Sequence, residues 1–458
     1  MDILLTQSYL IERDPPEKQI MRPFPPLGIM YLASSLKKNG FEVHILDNTF
    51  EPDLKKFRSL IVEHKPNLVG ISAVEISRDT AFEMCRIASD AGCDVAAGGC
   101  DPVNSRDAYF SAGAKWICVG EGELTFLELA QKMVKKQSPK INEVPGLYFM
   151  DGDDEIFTGN RELIENLDTI PYPAWNLIHL QKYIDAWKGA HRETALSVIS
   201  SRGCNFRCSW CSRNVFGKSF RRRSPENFLN EIEYLQKEFK PDYFWIADDS
   251  FTSSLKWLKD FAELVNSRDL KLSYECLGRV DEITEEKAEI LSETGCRLIW
   301  FGAESGSQRI LDSMNKGTKV ESIHLAREII KKEKIPVGFF IMLGYPPEDK
   351  SDVLKTVELI QKAKPEKIGV SVAYPISGTD FYDNVLLNGV NSAWSSSGEN
   401  RPIFETRYSP MFYRFARRLI LKNAQLGNSN SQPGLLDNLK LVFYKSGMNI
   451  SSLMGRAK

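Results

Sequence analysis

Residues 195–211 read ALSVISSRGCNFRCSWC, an apolar run followed at once by three cysteines in the spacing CxxxCxxC. ALSVISS has the composition of a buried strand, so Cys204, Cys208 and Cys211 fall on a loop at its carboxyl end. In barrel-like α/β folds that is the end where chemistry is placed. Three thiolates bind three irons of a cubane and leave the fourth iron without a protein ligand. A structural zinc site would want a fourth Cys or His at regular spacing. Neither His191 nor any later nearby residue supplies one.

Working outward, strand patterns recur downstream as DYFWIADD, KLSYECLG, RLIWFGAE, PVGFFIML and KIGVSVAY, with helical segments between them. Together with ALSVISS they make six units, which predicts a partial (β/α)6 barrel over residues 191–388. Upstream, MDILLTQ, FEVHILD, PNLVGISAV, CDVAAGG and AKWICVG alternate with helical stretches over residues 1–136. That alternation predicts an α/β, doubly wound, Rossmann-like domain. Residues 137–190 are expected to form a linker with a small hairpin, VPGLYFMDGDDEIFTG, and a proline-punctuated connector. Residues 389–458 read as a C-terminal helical domain covering the active site, with MFYRFARRLILKNAQLG and LLDNLKLVFYKSG as amphipathic helices.

The length of 458 residues exceeds one ordinary core. The composition, 42% hydrophobic and 26% charged with a net charge of −2, is that of a globular protein without the basic face nucleic acids require. No apolar run approaches the ~20 residues that cross a bilayer. The start, MDILLTQSYLIERDPPEKQ, has no basic-then-apolar signal pattern, so a cytoplasmic location is expected. The six other cysteines (Cys85, Cys93, Cys100, Cys118, Cys276, Cys296) are scattered singly and read as small buried hydrophobes.

With Trp210 just before the last cysteine, the triplet resembles the signature of the radical S-adenosylmethionine (SAM) superfamily. The stretch GAESGSQRILDSMNKGT from Gly302, the run Asp248 to Thr252 (DDSFT), Arg279 in CLGRVD, Gly344-Tyr345-Pro346 and Tyr374 to Thr379 are similar to further motifs of one subgroup. The resemblance implies a [4Fe–4S] cluster whose open iron chelates the amino and carboxylate groups of SAM. Reductive cleavage then gives methionine and a 5′-deoxyadenosyl radical, with flavodoxin or ferredoxin as the type of electron donor. It also implies SAM contacts from Trp210, Asp248, Arg279, Glu304 and Ser305.

The residues read on their own leave alternatives open. Glu304 follows a strand and can meet a ligand's amine or ribose at the barrel mouth, or serve as a salt-bridged structural glutamate. Ser305 can donate to a carboxylate or cap a helix. The Arg279 fork fits bidentate carboxylate recognition. Of Asp248 and Asp249, one is expected to cap a helix and the other to face the ligand. The basic run Lys218 to Arg223 is either a solvated face or a docking point for an anionic group or an electron donor.

In the first domain, Gly98-Gly99 ends one strand and Gly120-Glu121-Gly122-Glu123 ends the next and opens a helix. Such glycines let a ligand approach the backbone. There is no GxGxxG after the first strand, against a dinucleotide site. The order Gly70 to Ser72, Gly98-Gly99 and Val119 to Glu123, with PPLGIMYLA from Pro25, resembles the cobalamin-binding domain fused to many radical SAM enzymes. The resemblance places Ser72, Gly98, Gly99, Gly120 and Glu121 at the cobalamin. The cobalt-ligating DxHxxG of many cobalamin proteins is missing, and His44, mid-strand in FEVHILD, reads as a packed core residue. Cobalt would then carry water, another side chain or nothing on its lower face, a state that favours methyl cycling.

Together these features imply a cobalamin-dependent radical SAM C-methyltransferase. One SAM would supply the methyl through methylcobalamin and a second the radical that activates a poorly nucleophilic carbon. A peptide or protein side chain, a lipid and a tetrapyrrole are all open as targets, with a slight lean to the peptidyl one because the sequence shows no membrane-facing helix. The alternatives are a non-methylating, porphyrin cyclase-like enzyme and a non-catalytic cofactor-sensing protein.

Overall fold

The computed structural model describes residues 1–136, 140–212, 215–217, 219–387, 406–428 and 434–453. The first sheet is built from β1 (Ile3–Gln7), β2 (Val43–Leu46), β3 (Leu68–Ser72), β4 (Asp94–Gly98) and β5 (Trp116–Cys118). Helices α1 (Pro15–Ile20), α2 (Leu27–Lys38), α3 (Lys55–His64), α4 (Arg78–Asp90), α5 (Arg106–Ser111) and α6 (Gly122–Met133) alternate with these strands. The five strands are parallel in the order β2-β1-β3-β4-β5. Helices on both faces bury LVGIS of β3 and VAA of β4, which is why these strands are apolar without alternation. The strand order reverses between β1 and β3, so this sheet opens a ligand crevice at its carboxyl end.

The connector hairpin, β6 (Leu147–Asp151) and β7 (Asp154–Phe157), joins this sheet antiparallel to β5, with Trp116 opposite Phe149. It thereby covers the otherwise unpaired edge of β5. Helix α7 (Leu180–His191) is fastened back to the first domain: Trp187 Nε1 donates to Pro23 O at 2.7 Å, and Tyr183 Oη donates to Asp47 at 2.7 Å. His44 departs from the sequence reading. It lies exposed on the edge strand β2 beside Glu42, because an edge strand turns alternate side chains to solvent.

The second sheet holds β8 (Ala195–Val198), β11 (Tyr243–Ile246), β12 (Tyr274–Gly278), β13 (Cys296–Glu304), β14 (Val337–Leu343) and β15 (Lys367–Val372). Its order is β15-β14-β13-β12-β11-β8 and every pair is parallel, a six-stranded partial barrel. Between β8 and β11 lies a separate antiparallel pair, β9 (Ser201–Gly203) and β10 (Phe220–Arg222). Helices α8 (Pro225–Phe239), α9 (Leu255–Ser267), α10 (Glu285–Glu293), α11 (Gln308–Ser313), α12 (Val320–Lys332), α13 (Lys350–Ala363) and α14 (Asp380–Leu387) complete the barrel units. Phe228, Phe244, Phe251, Phe301 and Phe339 fill the core between sheet and helices. Phe251 of the DDSFT run packs edge-on against Trp257 at 5.6 Å.

Of the C-terminal segment, α15 (Pro410–Gly427) and α16 (Leu435–Leu453) are described, while residues 388–405 lie outside the described residues. Helix α15 packs on α13 and on the edge strand β15, and its Phe412, Ala416, Leu419 and Ile420 join the barrel core. Its Tyr413 ring lies beside Gly344, at the carboxyl end of β14, and Tyr408 Oη accepts from the Lys350 amide at 3.1 Å.

Candidate cofactor sites at the two strand-end faces

Gly203 closes β9 at φ +81°, where a Cβ would run into the Ser219 carbonyl, so only glycine admits the β9–β10 pairing that launches the cysteine loop. Beyond it Cys208 is buried and Cys204 and Cys211 are half-buried, none of them in a disulfide. The loop is tied to the ends of neighbouring barrel units. Ser209 N donates to Met314 O at 2.9 Å, Asn315 Nδ2 donates to Arg207 O at 2.9 Å, and Phe381 N donates to Ser209 O at 2.9 Å.

Arg279, just past β12, faces this loop. Its guanidinium stacks on Phe206 at 3.4 Å and Nη1 stands 3.9 Å from Cys208 Sγ. The same fork is held by Asp281 at 2.9–3.0 Å and by Lys316 O at 2.8 Å. A fixed cation beside the loop suits the negative charge of a thiolate-bound cluster. Burial pushes the Cys204 thiol up, with Asp249 adding to the rise and Arg279 opposing it.

Among the described residues, no three His, Cys, Asp or Glu side chains converge closely enough to hold one metal ion. Thiols that bind a cubane each reach a different iron, and the donor set of one loop with three cysteines and an adjacent arginine fits that group.

Glu304 ends β13 at φ +59°, next to a register shift between Gly302 and Glu304 against β14. Its carboxylate is buried, 3.4 Å from Lys316 Nζ, and burial raises its pKa against the pull of Lys316. Lys316 Nζ lies 5.3 Å from the centre of the Trp210 ring, and Trp210 meets Tyr345 edge-on at 6.4 Å. Trp210, Glu304 and Lys316 therefore form one group beside the cysteine loop. Lys316, in the run MNKGT, has no local sequence mark of this role, since only the turn after α11 carries it back to Glu304.

Two of the sequence-derived residues face elsewhere. Ser305 accepts from Ser307 N at 3.1 Å and meets Thr356 at 3.3 Å, in the role of a turn cap. The Asp248 carboxylate accepts from the Ser200 and Ser201 amides at 2.7 and 2.9 Å and from the Ser200 hydroxyl. It thus braces the corner between β8 and β9. Asp249 is the member of the pair that stays exposed, near Cys204.

The basic run is neither a solvated face nor a docking point over its described part, Lys218 lying outside the described residues. Arg221 and Arg222 on β10 and Arg223 just past it have almost fully covered side chains, held respectively by Glu121, by Ser200 with Phe251 O, and by Glu231 with Asn227. The Arg222 guanidinium lies 3.7 Å from the Trp257 ring centre, and burial lowers its pKa to about 10. The short hairpin is wedged between the two domains, so its guanidiniums find carboxylates instead of water.

A cavity of ≈ 290 Å³ opens at the carboxyl ends of β3, β4 and β5 and runs between α2 and α6. Ser72, Gly98, Gly99, Gly120 and Glu121 all line it, and Gly28, Gly70 and Gly122 complete its glycine walls. A Cβ on Gly28 would stand in open space, while one on Gly70 would meet Leu5 and Phe126. This mostly apolar channel with bare backbone at its rim fits an elongated ligand such as a nucleotide tail.

Arg202, Val215 and Phe216 of the barrel domain form its far wall, so the cavity reaches the segments on either side of the cysteine loop. The Glu121 carboxylate accepts from Arg202 Nη1 at 2.8 Å and from Arg221 Nη1 at 2.7 Å, and Glu123 accepts from Arg202 Nη2 at 2.5 Å. Glu121 therefore offers the cavity its backbone and stem while its charge binds the domains together. Cys100, on the same rim, is half-buried. Beside it Glu75 accepts from Ser377 N at 3.2 Å, and burial brings the Glu75 carboxyl up to about 7.

Comparison with known proteins agrees with this arrangement. Residues 20–130 match the B12 binding domain family and residues 198–360 the Radical SAM superfamily. An uncharacterized methyltransferase of Pyrococcus horikoshii is 29% identical, over 80% of this chain and 79% of its own. The anaerobic magnesium-protoporphyrin IX monomethyl ester cyclase of Rubrivivax gelatinosus is 26% identical, over 80% of this chain and 67% of its own. The cobalamin-dependent SAM radical enzyme OxsB, solved with aqua-cobalamin bound, shares the fold at 18% identity and a TM-score of 0.75, covering 99% of this chain and 72% of that one. The chain therefore carries a B12 binding domain followed by a Radical SAM domain, in a fold shared with OxsB across both.

Proposed function

We propose that the protein is a C-methyltransferase that acts on an unactivated carbon. The observation that carries this reading is one cavity whose glycine walls come from one domain and whose far wall comes from segments on either side of the cysteine loop of the other. Two cofactor stations so close can address one substrate carbon from two sides. When bound, the cluster with SAM supplies a hydrogen-abstracting radical and cobalamin a transferable methyl group.

The chain's own residues take positioning roles. Cys204, Cys208 and Cys211 hold the cluster, and Arg279 offsets the negative charge of the thiolates. Trp210 and Glu304 line the SAM side, with Glu304 accepting from the amine or ribose and Lys316 fixing its carboxylate. Asp248 and Ser305 act one step removed, by bracing the backbone on which the loop and Glu304 sit. Ser72, Gly98, Gly99 and Gly120 admit the cobalamin tail, and Glu121 holds the two stations in register.

The test is anaerobic reconstitution with iron, sulfide, cobalamin, SAM and reductant. We expect 5′-deoxyadenosine, lost in Cys208→Ala, and a product about 14 Da heavier than its substrate at two SAM consumed per turnover. The similarity to the cyclase supports a second reading, a non-methylating oxidation or ring formation. A product without added methyl would establish it, and failure to form 5′-deoxyadenosine would overturn both.

A further inference from the structure

Among the described residues, helix α16 packs mainly by one side. Leu441, Tyr444 and Met448 turn inward against the barrel core, and Gly447 admits the Phe415 ring of α15. The opposite side leaves Leu435, Leu436, Leu439, Val442 and Ile450 more than half exposed, and Phe443, 59% exposed, borders it with its ring 5.7 Å from Phe415. Leu453, 85% exposed, continues the row. At 3.6 residues per turn these side chains fall within an arc of about 120°, with Lys440 and Lys445 on its two flanks. Elsewhere on the described surface, large exposed apolar side chains stand singly or in pairs.

The charge of this region is as unusual as its apolar row. From Thr406 to Lys458 nine lysines and arginines accompany a single acid, Asp437, in a chain whose net charge is −2. That acid is already engaged by Lys422 at 2.6 Å, which pins α16 to α15. Arg414, Arg417 and Arg418 of α15 are exposed.

We propose that the α15–α16 hairpin docks the protein on an anionic lipid surface, with the apolar row of α16 lying in the interface plane. An amphipathic helix of this kind buries its apolar face at the headgroup boundary while basic side chains meet anionic headgroups. A second copy of this chain fits poorly, because a symmetric contact would set two strongly basic segments against each other. No helix among the described residues is long and apolar enough to cross a membrane, so the contact is peripheral. The expectation of a peptidyl target rested on the lack of a membrane-facing helix, and α16 presents such a face. The proposal is independent of the reaction performed in the barrel.

The test is flotation of the full chain with phosphatidylcholine vesicles, with and without phosphatidylglycerol. We expect about tenfold more bound protein on the anionic vesicles, a gain that salt removes. Val442→Ser with Phe443→Ser should abolish binding while cluster absorbance is kept, and Arg417→Glu with Arg418→Glu should weaken it on anionic vesicles only. Absence of flotation, or equal and salt-insensitive flotation on both vesicle types, would overturn the proposal. So would a dimer by light scattering that the Val442/Phe443 variant dissociates, which would assign the face to a second copy. Stable capture of an acidic protein in place of anionic vesicles would overturn it as well.

Discussion

Arg202 Nη1 donates to Glu121 Oε1 across 2.8 Å, tying the strand that leads into the cysteine loop to the glycine turn that rims the cavity of the other domain. Both side chains are almost wholly buried, and Arg221 and Glu123 complete the network. One ion-pair cluster therefore ties the strand before the cysteine loop to the rim of the cavity.

Removing one partner leaves buried charge without compensation. Glu121→Ala is expected to cost about 3–5 kcal/mol of stability, read from the denaturant midpoint. It should also lower cobalamin retention. A variant as stable as the parent would mean that the domains are not held by this pair.

Gly302 has no room for a methyl group, since a Cβ there would lie 2.5 Å from Glu304 Oε1 and 2.8 Å from Lys316 Nζ. Gly302→Ala should therefore displace the Glu304–Lys316 pair and weaken SAM about tenfold, roughly 1.4 kcal/mol. The cluster spectrum should be unchanged, because the cysteines sit on another loop. Unaltered SAM affinity in equilibrium binding would remove Glu304 from the SAM site.

Gly28 faces the cavity from α2, and a side chain there meets open space. Gly28→Leu should fold, since leucine is the better helix former, yet occupy the channel. Loss of the corrinoid absorption bands with an intact iron–sulfur spectrum is the expected result. Full cobalamin loading would move the nucleotide tail elsewhere.

Glu348 is buried at the turn after β14, where it accepts from Gly344 N at 2.5 Å and its Oε1 has no partner among the described residues. Burial raises its pKa from 4.5 to about 8. The folded state therefore holds a proton that the unfolded chain releases between those values, and stability falls as pH rises through this window. Glu348→Gln removes the titration. Chemical denaturation from pH 5 to 8 should show a flatter profile for the variant and a gain that grows with pH, and parallel profiles would contradict the assignment.

Much of the fold is legible in the chain because burial on both faces writes itself into composition. Runs such as LVGIS and the sustained RLIWFGAE mark β3 and β13 without structural help, and helix periodicity marks α15 and α16. The cysteine triplet is legible for a different reason, since its three ligands are contiguous. Contacts between distant segments leave no such local mark. RRR at Arg221 to Arg223 has the composition of a solvated run, and only packing against Glu121 and Glu231 makes it a buried one. His44 sits in an apolar run, but a strand at the sheet edge turns it outward.

The sequence by itself determined the two α/β domains, their order, the cysteine loop and the strand-end glycines, because each is a local pattern of residue type and spacing. Only the tertiary structure decided that Asp248 braces a corner, that Glu121 binds two arginines of the other domain, and that one face of α16 stays uncovered. Those outcomes depend on which surfaces meet, and a carboxylate or an apolar stripe has the same local sequence whether or not something packs against it.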